Sequence, residues 1–236
     1  LETLKSLLNQ TVLPTKIFLY LSVEPYLLDH GFPEKNITNA YLRTYIENND
    51  IISLKWTENT GPYRKLLPLL QEKWNEDCII ITLDDDTCYN SNLLKNFIED
   101  HERDKTCVIN YRGYTFSKEN IINIDYNVRE KLTQKSLYNF ATGKGGVLYH
   151  PKFFHNTNDL IFDKTIYLIL CDGADDIWFY LVRICNGVEC IIKNISYMTK
   201  DNTGSIALCK NINNGNKNTK KIRKCISFLI SKGYSF

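Results

Sequence analysis

The run Cys78–Leu83, CIIITL, is followed at once by three carboxylates, Asp84-Asp85-Asp86. A continuously apolar and β-branched stretch without polar alternation reads as a strand covered on both faces. Strands of that kind form the centre of an α/β sheet, and ligands of open α/β sheets bind at the carboxyl ends of the strands. Adjacent carboxylates at such an end repel one another and hold their protons more tightly unless a cation sits among them. Alternate residues, Asp84 and Asp86, face one side and can share a divalent metal. Hard cations such as Mg²⁺ or Mn²⁺ prefer carboxylate oxygens and bridge to substrate phosphates. In isolation such a triplet is more often a solvated acidic turn before the next helix, with Asn90 or Ser91 as the N-cap. Its strand context and three companion motifs favour the metal site.

Upstream, strand and helix alternate at short intervals. Residues 1–10 carry Leu1, Leu4, Leu7 and Leu8 at helical spacing and stop before Pro14. Lys16–Val23 reads as a strand, Asn39–Glu47 as a helix and Ile51–Trp56 as a strand. Tyr63–Trp74 reads as a helix with Pro68 at a kink or in its first turn. After the triplet come a helix at Asn92–Glu102 and a strand at Thr106–Tyr111. This alternation predicts an α/β fold with a mostly parallel central sheet flanked by helices. A chain that opens inside a helix suggests that a first strand is missing. The second half is less regular. It has a polar stretch over Ser117–Lys135, a glycine turn at Gly143–Gly146, a strand at Val147–Tyr149, a helix at Asp175–Cys185 and a strand at Glu189–Ile195. Residues 211–221 are rich in Asn and Lys and read as a loop, and 222–235 as a basic helix.

The bulk numbers exclude several classes. With 236 residues, 43% of them hydrophobic, the chain can bury a full core. A net charge of +2 gives no reason to expect nucleic acid as a partner. No apolar run reaches about 18 residues and no signal peptide is evident, so no membrane span is expected. The eight cysteines form no C-x-x-C pair, which argues against zinc. Cys78, Cys107 and Cys171 lie in apolar runs and read as reduced core residues, as in the cytoplasm. N-x-S/T sequons at Asn9, Asn36 and Asn194 read as chance in a chain this rich in Asn.

Three companion motifs carry further chemistry. Thr60-Gly61-Pro62-Tyr63-Arg64-Lys65 joins a strand to a helix, where glycine lets backbone approach a ligand and Lys65 favours phosphate. A plain turn before a helix would look the same. Thr142-Gly143-Lys144-Gly145-Gly146 reads as a loop at a substrate or as a hairpin turn, and lacks the P-loop spacing. Asp175-Asp176 opens a helix, where the macrodipole favours negative charge. Asp175 or Asp172 can simply cap the helix, or one acid of the pair can serve as a general base towards an acceptor hydroxyl.

In this order, GPYRKLLPLL, IIITLDDDTCY, GKGGVLYHP and ADDIWFYL resemble bacterial and large-virus glycosyltransferases of the GT-A fold, near the broad family-2-like group. The resemblance spans about residues 1–205, and LETLKSLLNQT is similar to the helix that follows the first strand there. It implies one GT-A domain over 1–236, with a nucleotide-sugar half at 1–112 and an acceptor half with a C-terminal helix at 113–236. It further implies a nucleotide-diphosphate sugar donor, often a UDP sugar, a glycan or other hydroxyl acceptor, and Mn²⁺ or Mg²⁺. Asp86 and Asp84 would hold the metal, and Asp84, Asp85, Lys65, Gly61, Pro62, Gly145 and Gly146 the donor. Asp176 would be the base of an inverting hexosyl or deoxyhexosyl transfer, with Asp175 the fallback. Further domains in a longer chain fit the same picture. Lys217, in the loop Asn211–Asn218, stands where relatives tend to carry an acid.

Two rival functions remain open at this stage. A haloacid-dehalogenase-like phosphohydrolase uses D-x-D-x-[TV], but here Thr87 follows one place too early and the triplet follows at least two strands. A non-catalytic nucleotide-sugar-binding module would carry the same acids.

Overall fold

The structure is a computed structural model. It describes residues 1–132, 134–194 and 215–236, and the backbone of 198–201. Its strands are β1 (Ile17–Leu21), β2 (Ile52–Trp56), β3 (Ile80–Thr82), β4 (Thr87–Tyr89), β5 (Val108–Asn110), β6 (Gly113–Thr115), β7 (Lys135–Ser136), β8 (Asn139–Ala141), β9 (Val147–Tyr149), β10 (Cys190–Ile192) and β11 (Met198–Asp201). Its helices are α1 (Glu2–Leu8), α2 (Ala40–Glu47), α3 (Leu67–Glu72), α4 (Leu93–Arg103), α5 (Asn158–Ile161), α6 (Lys164–Cys171), α7 (Asp175–Cys185) and α8 (Lys217–Ser231).

Strands β1 and β2 pair in parallel, Ile17 opposite Ile52. A parallel pair needs a crossover, and α2 supplies it. Asn39 starts that helix by accepting a hydrogen bond from the Leu42 amide at 2.9 Å. The central sheet has the order β3-β9-β5-β10-β7. Strands β5 and β10 are parallel neighbours, but β9 lies antiparallel between β3 and β5, and β7 antiparallel to β10. The fold is α/β as expected, and its sheet is mixed rather than mostly parallel. Strands β3 and β5 still share a direction, because each opposes β9.

Period-two alternation divides the core between the two faces of this sheet. Ile80, Val108, Val147 and Tyr149 join one cluster with Leu70, Trp178, Phe179 and Leu229. Ile109 and Leu148 join the other with Leu4, Leu7, Leu93 and Phe97. Both faces are therefore covered, and the carboxyl end of β3 is left for the acidic triplet.

Three local readings change. The segment expected as one helix over Tyr63–Trp74 is a 3₁₀ turn at Gly61–Lys65 followed by α3, with Pro68 in the first turn of α3. Helix α8 begins at Lys217, inside the stretch expected as a loop, since Ile222, Cys225, Ile226 and Leu229 bury one face against α6 and α7. Residues 211–214 of that stretch, Ile195 and Cys209 lie outside the described residues. Short strands β4, β6 and β8 were not signalled by the sequence. Among the described residues, Cys78, Cys107, Cys171, Cys185, Cys190 and Cys225 carry free thiols. Among the described residues no helix is long and apolar enough to cross a membrane.

Candidate active site

Beyond the end of β3 at Thr82, the triplet runs into a turn that leads to β4 at Thr87. Asp84 and Asp86 are half-buried and Asp85 is exposed. The backbone here is tied from three sides. The Asp84 amide donates to the Tyr89 hydroxyl at 3.0 Å. Thr3 Oγ1 of α1 donates to the Asp85 carbonyl at 2.6 Å, and the Tyr89 amide donates to Ser6 Oγ at 3.1 Å. Helix α1 thus acts as a brace for the loop that displays the acids.

The second acidic pair stands in the first turn of α7. The loop before it is fixed by Tyr63, whose hydroxyl donates to the Cys171 carbonyl at 2.7 Å, and by Lys221, whose ammonium donates to the Asp172 carbonyl at 2.6 Å. Asp175 points inward, with a side chain only 8% exposed, against 28% for Asp176.

Lys65 joins the two clusters. Its Nζ lies 2.9 Å from Asp175 Oδ2, 3.2 Å from Asp84 Oδ1 and 3.7 Å from Asp176 Oδ1. Among Gly61, Pro62 and Lys65, Lys65 alone is paired with these acids. Pro62 is the second residue of the 3₁₀ turn, and the amide of Gly61, at φ +64°, donates to Asn59 Oδ1 at 3.0 Å. The ammonium is pushed to hold its proton well above the usual lysine range. Burial works against its charge, but Asp175, Asp84 and Asp176 together outweigh burial.

Asp176 also holds its proton more tightly than usual. Burial raises its pKa to about 7; Lys65 opposes the rise, Asp175 and Asp84 add to it, and the Gly143 amide opposes it. A carboxyl near 7 at a helix N-terminus is a group suited to accept a proton at neutral pH. The Gly143 amide donates to Asp176 Oδ2 at 3.1 Å and fixes the carboxyl group.

The glycine loop has a different internal division of labour from the one the sequence suggested. Gly143 is the glycine that meets the acids: a Cβ there would fall 2.4 Å from Lys65 Nζ and 2.9 Å from Asp84 Oδ1. Gly145 lies against the Arg112 backbone, and Gly146, at φ +73°, lies against Leu83 and Phe97. Buried Asn110, at the end of β5, ties the loop down by donating to the Thr142 and Gly146 carbonyls at 3.1 and 2.6 Å. Sequence reading missed Asn110, Tyr89 and Thr3. No local pattern marks them: Asn110 and Thr3 act on partners distant in the chain, and Tyr89 reaches Asp84 across the turn between β3 and β4.

The fit of a divalent metal can be judged from the donors. Burial, Asp84 and Asp85 push the Asp86 pKa up, while a Thr87 hydroxyl hydrogen bond and Lys144 only partly oppose them. The neighbourhood of Asp86 is therefore short of positive charge. Among the described residues no three His, Cys, Asp or Glu side chains gather as a complete ligand set. Two hard carboxylates completed by phosphate oxygens suit Mg²⁺ or Mn²⁺, so Asp84 and Asp86 fit such an ion.

Comparison with known proteins gives a family and a fold. The profile described as glycosyl transferase family 2 matches residues 1–164, from α1 through Lys65, the triplet and the glycine loop, and ends before Asp175. The fold is similar to that of a crystal structure of S. aureus TarS 1–349, at 15% identity and a TM-score of 0.51. That likeness covers 84% of this chain and 54% of the TarS chain, so this chain spans about half the length of that structure. No curated protein matches the sequence.

Proposed function

Because this chain belongs to glycosyl transferase family 2, we propose that it transfers a sugar from a nucleotide-diphosphate donor, a UDP sugar, to a hydroxyl of a glycan acceptor, with inversion. The observation that carries this reading is the meeting of the triplet and the α7 acids at one lysine. A metal site and a base site then share a single cleft, with residues 1–112 supplying the donor side and 113–236 the acceptor side. Asp84 and Asp86 would hold Mn²⁺ or Mg²⁺, which supplies Lewis-acid stabilisation of a departing diphosphate. Lys65 adds a positive charge beside the same oxygens. Asp176 takes the proton of the acceptor hydroxyl, whose oxygen attacks the anomeric carbon from the face opposite the leaving group. The Gly143 amide keeps the carboxyl group aimed while this happens. Much of the acceleration comes from holding both reactants in line.

A thermal-shift screen of nucleotide sugars with Mn²⁺ tests the donor assignment, since a bound donor raises the melting temperature. Transfer by an Asp176→Asn variant at more than about a hundredth of the wild-type rate would remove Asp176 from the base role. Stabilisation by a donor without transfer to any acceptor would instead indicate a binding module.

A further inference from the structure

Lys65 stands between two groups that need it at different moments. A diphosphate needs the positive charge, and a general base needs to be rid of it. An ammonium has three N–H groups. Asp175 and Asp84 stand within 3.2 Å of Nζ, whereas Asp176 Oδ1, at 3.7 Å, is beyond hydrogen-bond reach. The contact with Asp176 is therefore the weakest of the three and the first to yield.

We propose that Asp175 is a positioning residue that anchors Lys65 as a shuttle: in the free protein the ammonium leans on Asp176, and an arriving diphosphate draws it away and releases the base. This rests on the reading of the cleft given above. Asp175 is unsuited to act on an acceptor itself. Its side chain is 8% exposed, and Oδ2, the oxygen that faces Lys65, is shut off from solvent. A carboxylate buried so deeply is strongly destabilising without its partner, so the Asp175–Lys65 pair persists while the other two contacts change.

Two further features suit a moving ammonium. Gly143 leaves open the space beside Nζ that any side chain would fill. Its amide also holds Asp176 through Oδ2, whereas Lys65 approaches Oδ1. The base therefore stays in place when the lysine leaves. The consequence is an order of events in which the donor binds first and the base becomes competent second.

The test uses UDP, GDP, CDP and dTDP, each with Mn²⁺, on the wild-type chain. Calorimetry identifies the nucleotide that binds, and a crystal structure of that complex locates Nζ. The proposal expects Nζ to keep its pair with Asp175 and to move beyond about 4 Å from Asp176, the limit of an ion pair. A complex in which Nζ still rests against Asp176 overturns the shuttle and leaves the donor reading intact. Failure of every nucleotide to bind overturns the donor reading, and the shuttle with it. In kinetics with the identified donor, Asp175→Asn lowers kcat at least about 30-fold while donor KM stays within about threefold. A variant that loses only melting temperature, with kcat retained, shows that Asp175 is merely structural and overturns its anchoring role. Should the variant not fold, the position of Nζ in the wild-type complex decides alone.

Discussion

Asp176 carries its proton to about pH 7 chiefly because burial disfavours the charged carboxylate. An unfolded chain loses the same proton near pH 4. Between those values the native state binds more protons than the unfolded state, so stability falls as pH rises from about 4 to 7. Urea unfolding across that window should show the decline, and Asp176→Asn should flatten it. Activity runs the opposite way, because the base works deprotonated. Below pH 7, kcat/KM, which reports the free enzyme, should drop about tenfold per pH unit. A second prediction concerns Gly143. The end of a free lysine could swing clear of a methyl group, but this one stays anchored to Asp175. Gly143→Ala should therefore cut transfer by at least about tenfold while the melting temperature changes little. The sequence showed the glycine cluster and both acidic clusters. It did not show which glycine faces the acids, because that depends on the path of the loop after β8, and glycines carry no side-chain pattern to betray it.

At the scale of elements, the site is made by strand ends and the braces that hold them. Asn110 closes β5 and fastens the glycine loop through two carbonyls, and it also accepts from the Arg112 amide at 3.0 Å. It is fully buried, so Asn110→Ala removes three hydrogen bonds to backbone, of which only the one to the Thr142 carbonyl has a backup in the Gly145 amide at 3.2 Å, and should destabilise the chain by about 2–3 kcal/mol. Hydrogen exchange should then rise over residues 142–146, and the Gly143 amide should lose its protection with them. Exchange in that segment no faster than wild type would deny Asn110 the bracing role. Elements with strong periodicity, such as α4, α7 and β3, were legible because an amphipathic stripe or an apolar run announces itself locally. The direction of β9 was not. VLY reads the same whether it runs with or against its neighbours, and only the short return from the glycine loop decides it. Strands β4, β6 and β8 are three residues each, too short for alternation to stand out from loop sequence.

Across the whole molecule, the reacting groups come from the two halves of the chain and meet at Lys65. Helix α8 shows this coupling. It is the most basic helix, yet its inner face buries Ile222, Cys225, Ile226 and Leu229 against α6 and α7, and Lys221 reaches the carbonyl of Asp172 just ahead of the α7 acids. The Asn- and Lys-rich composition around its start hid this, since the anchoring contacts lie on residues remote in sequence. Leu229 is fully buried, so Leu229→Ala should cost about 2–5 kcal/mol through lost transfer energy and the cavity left behind. For a chain of this size that corresponds to a fall in melting temperature of about 2–4 °C per kcal/mol. Because Leu229 touches none of the acids, the folded fraction of that variant should bind nucleotide with Mn²⁺ as the wild type does. Lys221→Met removes the tie to the Asp172 carbonyl without hollowing the core. If α8 positions α7 as well as stabilising it, this second variant should lower transfer with little change in melting temperature. Equal transfer in wild type and Lys221→Met would confine α8 to stability.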